Sequence, residues 1–445
     1  MGTFTRRRLL IAGAAATLPA PLVRRNNGLS AAAAAAGTSP EPLRIGAVLP
    51  IGGAAMPPGR INIRAVGEAA RMGLVLGEED AARNGELVGW STEVTIANAP
   101  GVDAAARAAR RLIARDRVSV LVGGFSRDEA EAISEIAEEG DAIFLNIAAQ
   151  SDALRHTCRT GMFHIEASAA MYLDAIFGWF VRAGYRNWYF VHDDSLEGQE
   201  LYERALVSLK ERHWAAEVAG RGVLRQDDSR DFAPVIAEIG KVRPDVVLLL
   251  TDWRTQLDFL SRYEVSGNLA QVAGYPDPAS QLRDFYFAAK QAAPVFGSGY
   301  RAALWEATLD SYGARELNAR FDARWGRPMD PPAWAAYQAV KIALEAAIAS
   351  GSGDAASLAA HIGGPQGLFD VSKGIGMTFR PWDGQMRQSL FLVKINPDAT
   401  SSLALDAMLE RASLAGELPA IYMPGTDPVE RLDQLGEIDP SRSCP

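Results

Sequence analysis

The stretch FLNIAAQSD, Phe144 to Asp152, runs from a strand-like apolar pattern into Ala148, Ala149 and Gln150, which carry little bulk and no charge. Small side chains at a strand end leave main-chain N–H groups open to approach, a chemistry of anion binding rather than bond-making. Ser126 and Arg127 follow a second apolar run, VSVLVGG, and open a helical pattern. A helix N-terminus and a guanidinium both favour an anion, so these two residues point to a carboxylate. The competing reading is a solvated Arg127 paired with Glu131 one helical turn on. Further along, Glu197, Asp252 and Asp277 are acidic, while Trp253 and Tyr275 are broad and amphipathic. Acids of this kind hold an ammonium group, and the rings cover an aromatic or apolar body. The expected ligand-binding set is Ser126, Arg127, Ala148, Ala149, Gln150, Glu197, Asp252, Trp253 and Tyr275.

Catalytic patterns are missing from the same sequence. There is no glycine-rich loop ending in Gly-Lys-Ser/Thr, no HExxH, no GxGxxG opening a helix and no GxSxG. His156, His164 and His192 are isolated, and the two cysteines lie in no CxxC. A non-enzyme without metal or cofactor is the expectation.

The elements that must position these residues follow from periodicity. LRIGAVL, TEVTIA, VSVLVGG and AIFLNI are strand patterns, separated by helical stretches starting near Asn62, Asp103 and Arg127. Asp103 is the expected cap of the second helix. Parallel neighbours need crossover connections, so the alternation implies a doubly wound parallel sheet. A second block repeats the theme with WYFVH, DVVLLL, QVAG and PVFG, and the chain is α/β with two lobes. The site candidates fall at C-terminal strand ends of both blocks, where open α/β sheets bind ligands and where a cleft between lobes is a favoured pocket. In MTFRPWDGQMRQSLFLVKI, Asp383-Gly384 is a hairpin signal. The stretch from Ala399 is poorly periodic and reads as an extension packed over a lobe.

Residues 1–36 join Arg6–Arg8 to a short apolar run and small residues, the pattern of a twin-arginine-type signal peptide; a membrane anchor is the alternative. Its removal takes 45 basic residues to 40 against 54 acids, moving the net charge from −9 to −14. So acidic a protein is a poor partner for nucleic acid. In an oxidising compartment Cys158 and Cys444 are expected to form a disulfide, the alternative being two unpaired thiols.

In their order and spacing, LRIGAVLPIGG, ARRLIARDRVSVLVGGFS, AIFLNIAAQSDALR, YFVHDDSLEGQ and DFAPVIAEIGKVRPDVVLLL resemble the periplasmic substrate-binding proteins of branched-chain amino acid (leucine/isoleucine/valine) ABC transporters. The resemblance implies a type I periplasmic binding protein: two Rossmann-like lobes with parallel doubly wound sheets, a three-strand hinge, and an ABC permease as inner-membrane partner. It further implies that the serine-bearing loop and Ala148–Gln150 take a carboxylate and that a second-lobe acid takes an ammonium. The implied divisions are 43–164 plus 300–373 for the N-terminal lobe, 165–299 plus 374–398 for the C-terminal lobe, and 399–445 for the extension, in a monomer. Glu197 before Gly198 replaces the family's usual aromatic residue, Arg127 replaces the second serine of a Ser-Ser pair, and Asp252-Trp253 replaces a small residue or tyrosine; these departures point away from branched-chain amino acids. RWGRPMDPPAWAAYQAVKIALEA, FRPWDGQMRQ and LDQLGEIDPSRSC are similar to a branch associated with pyrroloquinoline-quinone-dependent alcohol oxidation. Import of a small carboxylate-bearing or aromatic ligand is the leading expectation, and a periplasmic sensor or accessory protein of a quinoprotein alcohol-oxidation system the alternative. If Cys158 and Cys444 are bonded, a thiol titration of the unreduced, denatured protein finds no free thiol; two thiols per chain would refute the bond.

Overall fold

The computed structural model describes residues 41–52, 61–213, 215–227, 230–311, 313–374, 376–420 and 425–436; the expected signal peptide and Cys444 lie outside them. The first block forms β1 (Leu43–Leu49), α1 (Ile63–Glu86), β2 (Thr92–Asn98), α2 (Val102–Asp116), β3 (Val120–Gly123), α3 (Arg127–Glu139), β4 (Ile143–Asn146) and β5 (Met162–His164). Its sheet is parallel throughout, in the order β2-β1-β3-β4-β5. β3 and β4 are buried along their whole length, which is why they read as unbroken apolar runs. Asn62 caps α1 as its pattern predicts, but Asp103 lies in the first turn of α2, whose cap is Gly101.

The second block comprises α4 (Ala169–Arg182), β6 (Asn187–Asp193), α5 (Leu196–Arg212), β7 (Glu217–Leu224), α6 (Ala233–Val242), β8 (Val246–Leu250), α7 (Trp253–Glu264), β9 (Gln271–Gly274) and α8 (Arg283–Ala292). It gives a second parallel sheet, β7-β6-β8-β9. β7 escapes the strand pattern because it is an edge strand with a largely exposed burial profile, interrupted by Gly220 and Gly222. PVFG is a turn, and the strand follows it.

That strand, β10 (Tyr300–Ala303), begins a third, antiparallel sheet. After α9 (Ala314–Trp325), α10 (Pro331–Ser350) and α11 (Ala355–Ile362) come β11 (Leu390–Ile395), α12 (Leu405–Leu409), β12 (Ala412–Leu418) and α13 (Pro428–Leu432). The sheet order β10-β11-β12 places Ala412–Leu418 of the stretch beyond Ala399 in a sheet, while residues 432–436 bond to Arg380 and Asp174. The Asp383-Gly384 turn is present, with Gly384 at φ 62° and a Phe379–Met386 bridge beside it, but its flanks form single bridges instead of strands.

Helix α10 runs back to the first block and seals it against α1. The two helices approach so closely that a Cβ on Gly73 would stand 1.9 Å from the Ala333 carbonyl oxygen. The chain thus passes between the two parallel sheets at Ile165–Ser168, after Ala303 and again before Leu390, a three-strand hinge. Gly73→Ala is expected to force α1 off α10 and to lower the unfolding free energy in urea by about 1–3 kcal/mol.

Candidate functional site

Three helices begin at the facing ends of the two parallel sheets, and each is capped by a residue at the cleft. Ser126 Oγ accepts the Glu129 N–H (3.2 Å) at α3, Ser195 Oγ accepts the Gly198 N–H (2.9 Å) at α5, and Asp252 Oδ1 accepts the Thr255 N–H (2.7 Å) at α7. The polar segments after β3, β6 and β8 each supply such a cap because a strand that must turn directly into a helix leaves free N–H groups to satisfy. Between these helix ends and the loops after β4 and β9 lies a cavity of about 290 Å³. All nine expected residues line it, Ser126, Arg127, Ala148, Ala149, Gln150, Glu197, Asp252, Trp253 and Tyr275, together with Asp277. Among the lining residues outside the expected set are Ile63, Phe125, Gln226 and Thr251.

Several side chains are already engaged. Arg127 does not pair with Glu131: its Nη1 reaches across the cleft to Glu200 Oε1 on α5 (2.8 Å), joining the two lobes. The amides of Ala148 and Ala149 are not open either, because Asn146 Oδ1 accepts both, at 3.3 and 2.9 Å. The alanines line the cleft through their small size, and Asn146, two residues upstream, is an Asx-turn signal that was readable in FLNIAAQSD. Asp252 is committed to its cap. Gln150, buried, donates from Nε2 to Glu166 Oε1 (3.1 Å) and to the Pro276 carbonyl (2.9 Å), so it also spans the two lobes. The Tyr275 ring packs edge-to-face on Tyr172, with centroids 6.3 Å apart.

Acids outnumber bases here. Arg127 is the only basic side chain among the described lining residues, against Asp193, Glu197, Asp252 and Asp277. Asp277 Oδ1 accepts the Ala279 and Ser280 amides (3.0 and 3.3 Å), and burial nevertheless pushes its carboxyl up to about 7. Glu197 keeps solvent contact at the cleft mouth, yet the surrounding protein strips enough water to raise its carboxyl above the usual range. Asp193, Glu200 and Asp252 add to that rise, and Arg127 opposes it.

Below the cleft, Arg155 is buried and gathers the loops. It donates to the carbonyls of Ala149 (2.9 Å), Ser151 (3.0 Å) and Glu166 (2.8 Å) and to Gln385 Oε1 (3.0 Å). Glu166, at the first lobe crossing, accepts from Gln150 and from the Tyr172 hydroxyl (2.7 Å). Cys158 is exposed and lies in the loop before β5, outside the cleft lining.

The family model for periplasmic binding proteins matches residues 42–400. The chain belongs to the periplasmic binding protein family. Its fold is shared with an amino acid ABC transporter substrate-binding protein from Pseudomonas fluorescens Pf-5, at a TM-score of 0.70 and 18% identity over 85% of this chain and 96% of that one. A branched-chain amino acid ABC transporter periplasmic ligand-binding protein from Burkholderia xenovorans LB400 aligns at a TM-score of 0.71 and 16% identity, covering 84% and 95% of the two chains. A solute-binding protein from R. palustris in complex with benzoate aligns at 0.65 and 19%, covering 84% and 96%. No curated protein sequence matches the chain. The family is one of substrate-binding proteins and not of enzymes.

Glu129, one helical turn into α3, is a buried acid beside this site, pushed up to about 7 by loss of hydration and partly restrained by the Phe125 amide. Because the folded protein holds that proton while an unfolded chain releases it near 4.5, stability falls as pH rises from about 4.5 through 7. Glu129→Gln is therefore expected to gain on the wild type with rising pH, by on the order of 3 kcal/mol at pH 8, measured as urea midpoints at both ends of that window. A pH-independent difference would show that Glu129 does not titrate there.

Proposed function

We propose that this chain is the periplasmic solute-binding component of an ABC importer, closing its two lobes over a small organic ligand. The observation that carries the reading is the convergence of residues from both lobes on one cleft in a periplasmic binding protein fold. Ser126 and Arg127 take a carboxylate or similar acceptor group at the N-terminus of α3. Glu197 on the second lobe faces an ammonium or another hydrogen-bond donor, and Trp253 and Tyr275 cover an aromatic or apolar body. The crowding of acids favours a ligand that brings a donor or a positive charge along with its carboxylate over a bare monoanion. Export by a twin-arginine-type signal fits the family's periplasmic setting. The C-terminal stretches RWGRPMDPPAWAAYQAVKIALEA and FRPWDGQMRQ support placement in the branch associated with quinoprotein alcohol oxidation, which adds aromatic acids and alcohols to the candidates.

The test is thermal unfolding of protein lacking residues 1–36 against amino acids, aromatic acids including benzoate and 3,4-dihydroxybenzoate, amines and alcohols. A true ligand at a hundredfold its dissociation constant stabilises by about 2.7 kcal/mol. Arg127→Ala is expected to weaken a carboxylate ligand about tenfold to a hundredfold, the worth of a charge-assisted hydrogen bond. Unchanged affinity would remove Arg127 from the site, and no shift with any compound would transfer the function to partner sensing.

A further inference from the structure

Glu166 is not itself a lining residue of the cleft, yet side chains from both lobes meet on it. It lies in the first crossing between the lobes, Ile165–Ser168, and is 2% exposed. From the first lobe, the Gln150 amide donates to its Oε1; from the second, the Tyr172 hydroxyl of α4 donates to the same oxygen. The Gln150 amide also donates to the Pro276 carbonyl, which Gln281 Nε2 approaches from α8's side at 3.0 Å. Gln281 in turn reaches Tyr172 and accepts the Leu304 amide at the second crossing (2.7 Å). At the third crossing, Gln385 Nε2 donates to the Glu166 carbonyl (3.0 Å). The Glu166 carboxyl thus bonds Gln150 and Tyr172 directly, and through these two, Gln281 and its own main-chain carbonyl the residue is connected to Pro276 and to the other two crossings.

The Arg127–Glu200 and Gln150–Pro276 bonds tie the two lobes to each other. A separation of the lobes that parts Gln150 from Pro276 would loosen the Gln150 amide from its place on Glu166 and open that carboxyl to water.

We propose that Glu166 is a positioning residue for the binding cleft, holding Gln150 and Tyr172 in the closed arrangement as a neutral acid, so that closure takes up a proton. Oε1 accepts both donors whether or not Oε2 carries the proton, which makes the observed bonds compatible with the neutral form. The proton comes from solvent as the lobes close and returns when they part. Burial is the chief influence on the group and pushes it up to about 7; Tyr172, Gln150 and the charges of Arg155 and Lys373 oppose that rise. Arg155 faces it from the turn after β4, Tyr275 from the loop after β9, and Lys373 from the segment before β11. Lys373 is itself buried and lowered by loss of hydration, and its Nζ is engaged by Gln388 Oε1 (2.7 Å) and the Ser389 carbonyl (3.0 Å). Since a hydrated carboxyl titrates near 4.5, the closed form has the higher affinity for the proton, and falling pH favours closure.

The inference rests on the two-lobed binding reading but not on any ligand, and its test uses none. Small-angle X-ray scattering of protein lacking residues 1–36 would follow the radius of gyration between about pH 8 and about pH 5.5. The wild type is expected to contract as pH falls. Glu166→Gln, which keeps an acceptor oxygen and cannot ionise, is expected to remain contracted throughout. Tyr172→Phe removes a donor that favours the charged form, and is expected to move the contraction to higher pH. A pH-independent radius in the wild type would overturn the proposal. So would a pH-dependent change in radius as large in Glu166→Gln as in the wild type, which would hand the proton to Asp277 or Glu197. A failed ligand panel with these scattering results intact would count against the importer reading alone.

Discussion

The Arg155 guanidinium is the constraint on which the cleft depends. A buried guanidinium must place its donors on acceptors or destabilise the protein by several kcal/mol. Here four acceptors from the loop after β4, the first lobe crossing and the third crossing surround it. The nearest carboxyls, Asp152, Glu166 and Asp383, only partly offset the loss of hydration that lowers its proton affinity. Satisfying one side chain thus fixes three chain segments relative to one another. His164 adds to the same junction: burial keeps its ring neutral, and its Nδ1 accepts from Asn146, whose oxygen holds the Ala148 and Ala149 amides. The shape of the alanine wall is set from behind.

The cleft balances two opposed fields. The N-termini of α3, α5 and α7 all open onto it, and each brings partial positive charge. Four lining acids and Glu200 answer them, with Arg127 shared between the lobes. Helix ends can stabilise acids without neutralising them fully, which is consistent with Glu197 and Asp277 both holding protons above the usual carboxyl range. A ligand entering here exchanges interactions instead of filling a neutral gap. On the proposed reading, an incoming carboxylate would compete with Glu200 for Arg127, and an incoming donor would relieve the crowding around Glu197.

Local pattern was enough to read the two sheets, since β3, β4 and β8 are buried on both faces and carry unbroken apolar runs. Ser126 and Asp252, expected as ligand contacts, cap α3 and α7, because a polar residue between a buried strand and a helix has free N–H groups to satisfy. What escaped was non-local. Nothing within reach of Arg127 in sequence names Glu200, 73 residues away, as its partner. Gln150 looked like a loop residue because its acceptors, Glu166 and Pro276, come from the hinge and from the other lobe. β7 was hidden by its exposure, and β12 by the absence of a periodic run, because its place is decided by pairing with β11 and not by its own pattern.

The close approach of α1 and α10 bears on how the molecule comes into being. Gly73 is covered by the Ala333 backbone, which lies 260 residues further along the chain. All five strands of the first sheet have been made once His164 has emerged, yet the apolar face of α1 stays uncovered until α10 exists. Contacts so distant in sequence make for slow folding, since the ordering of the intervening chain comes before the gain. During synthesis the first lobe therefore waits for a helix made after the second lobe's parallel sheet, which is contiguous from β6 to β9 and can pair its strands in the meantime.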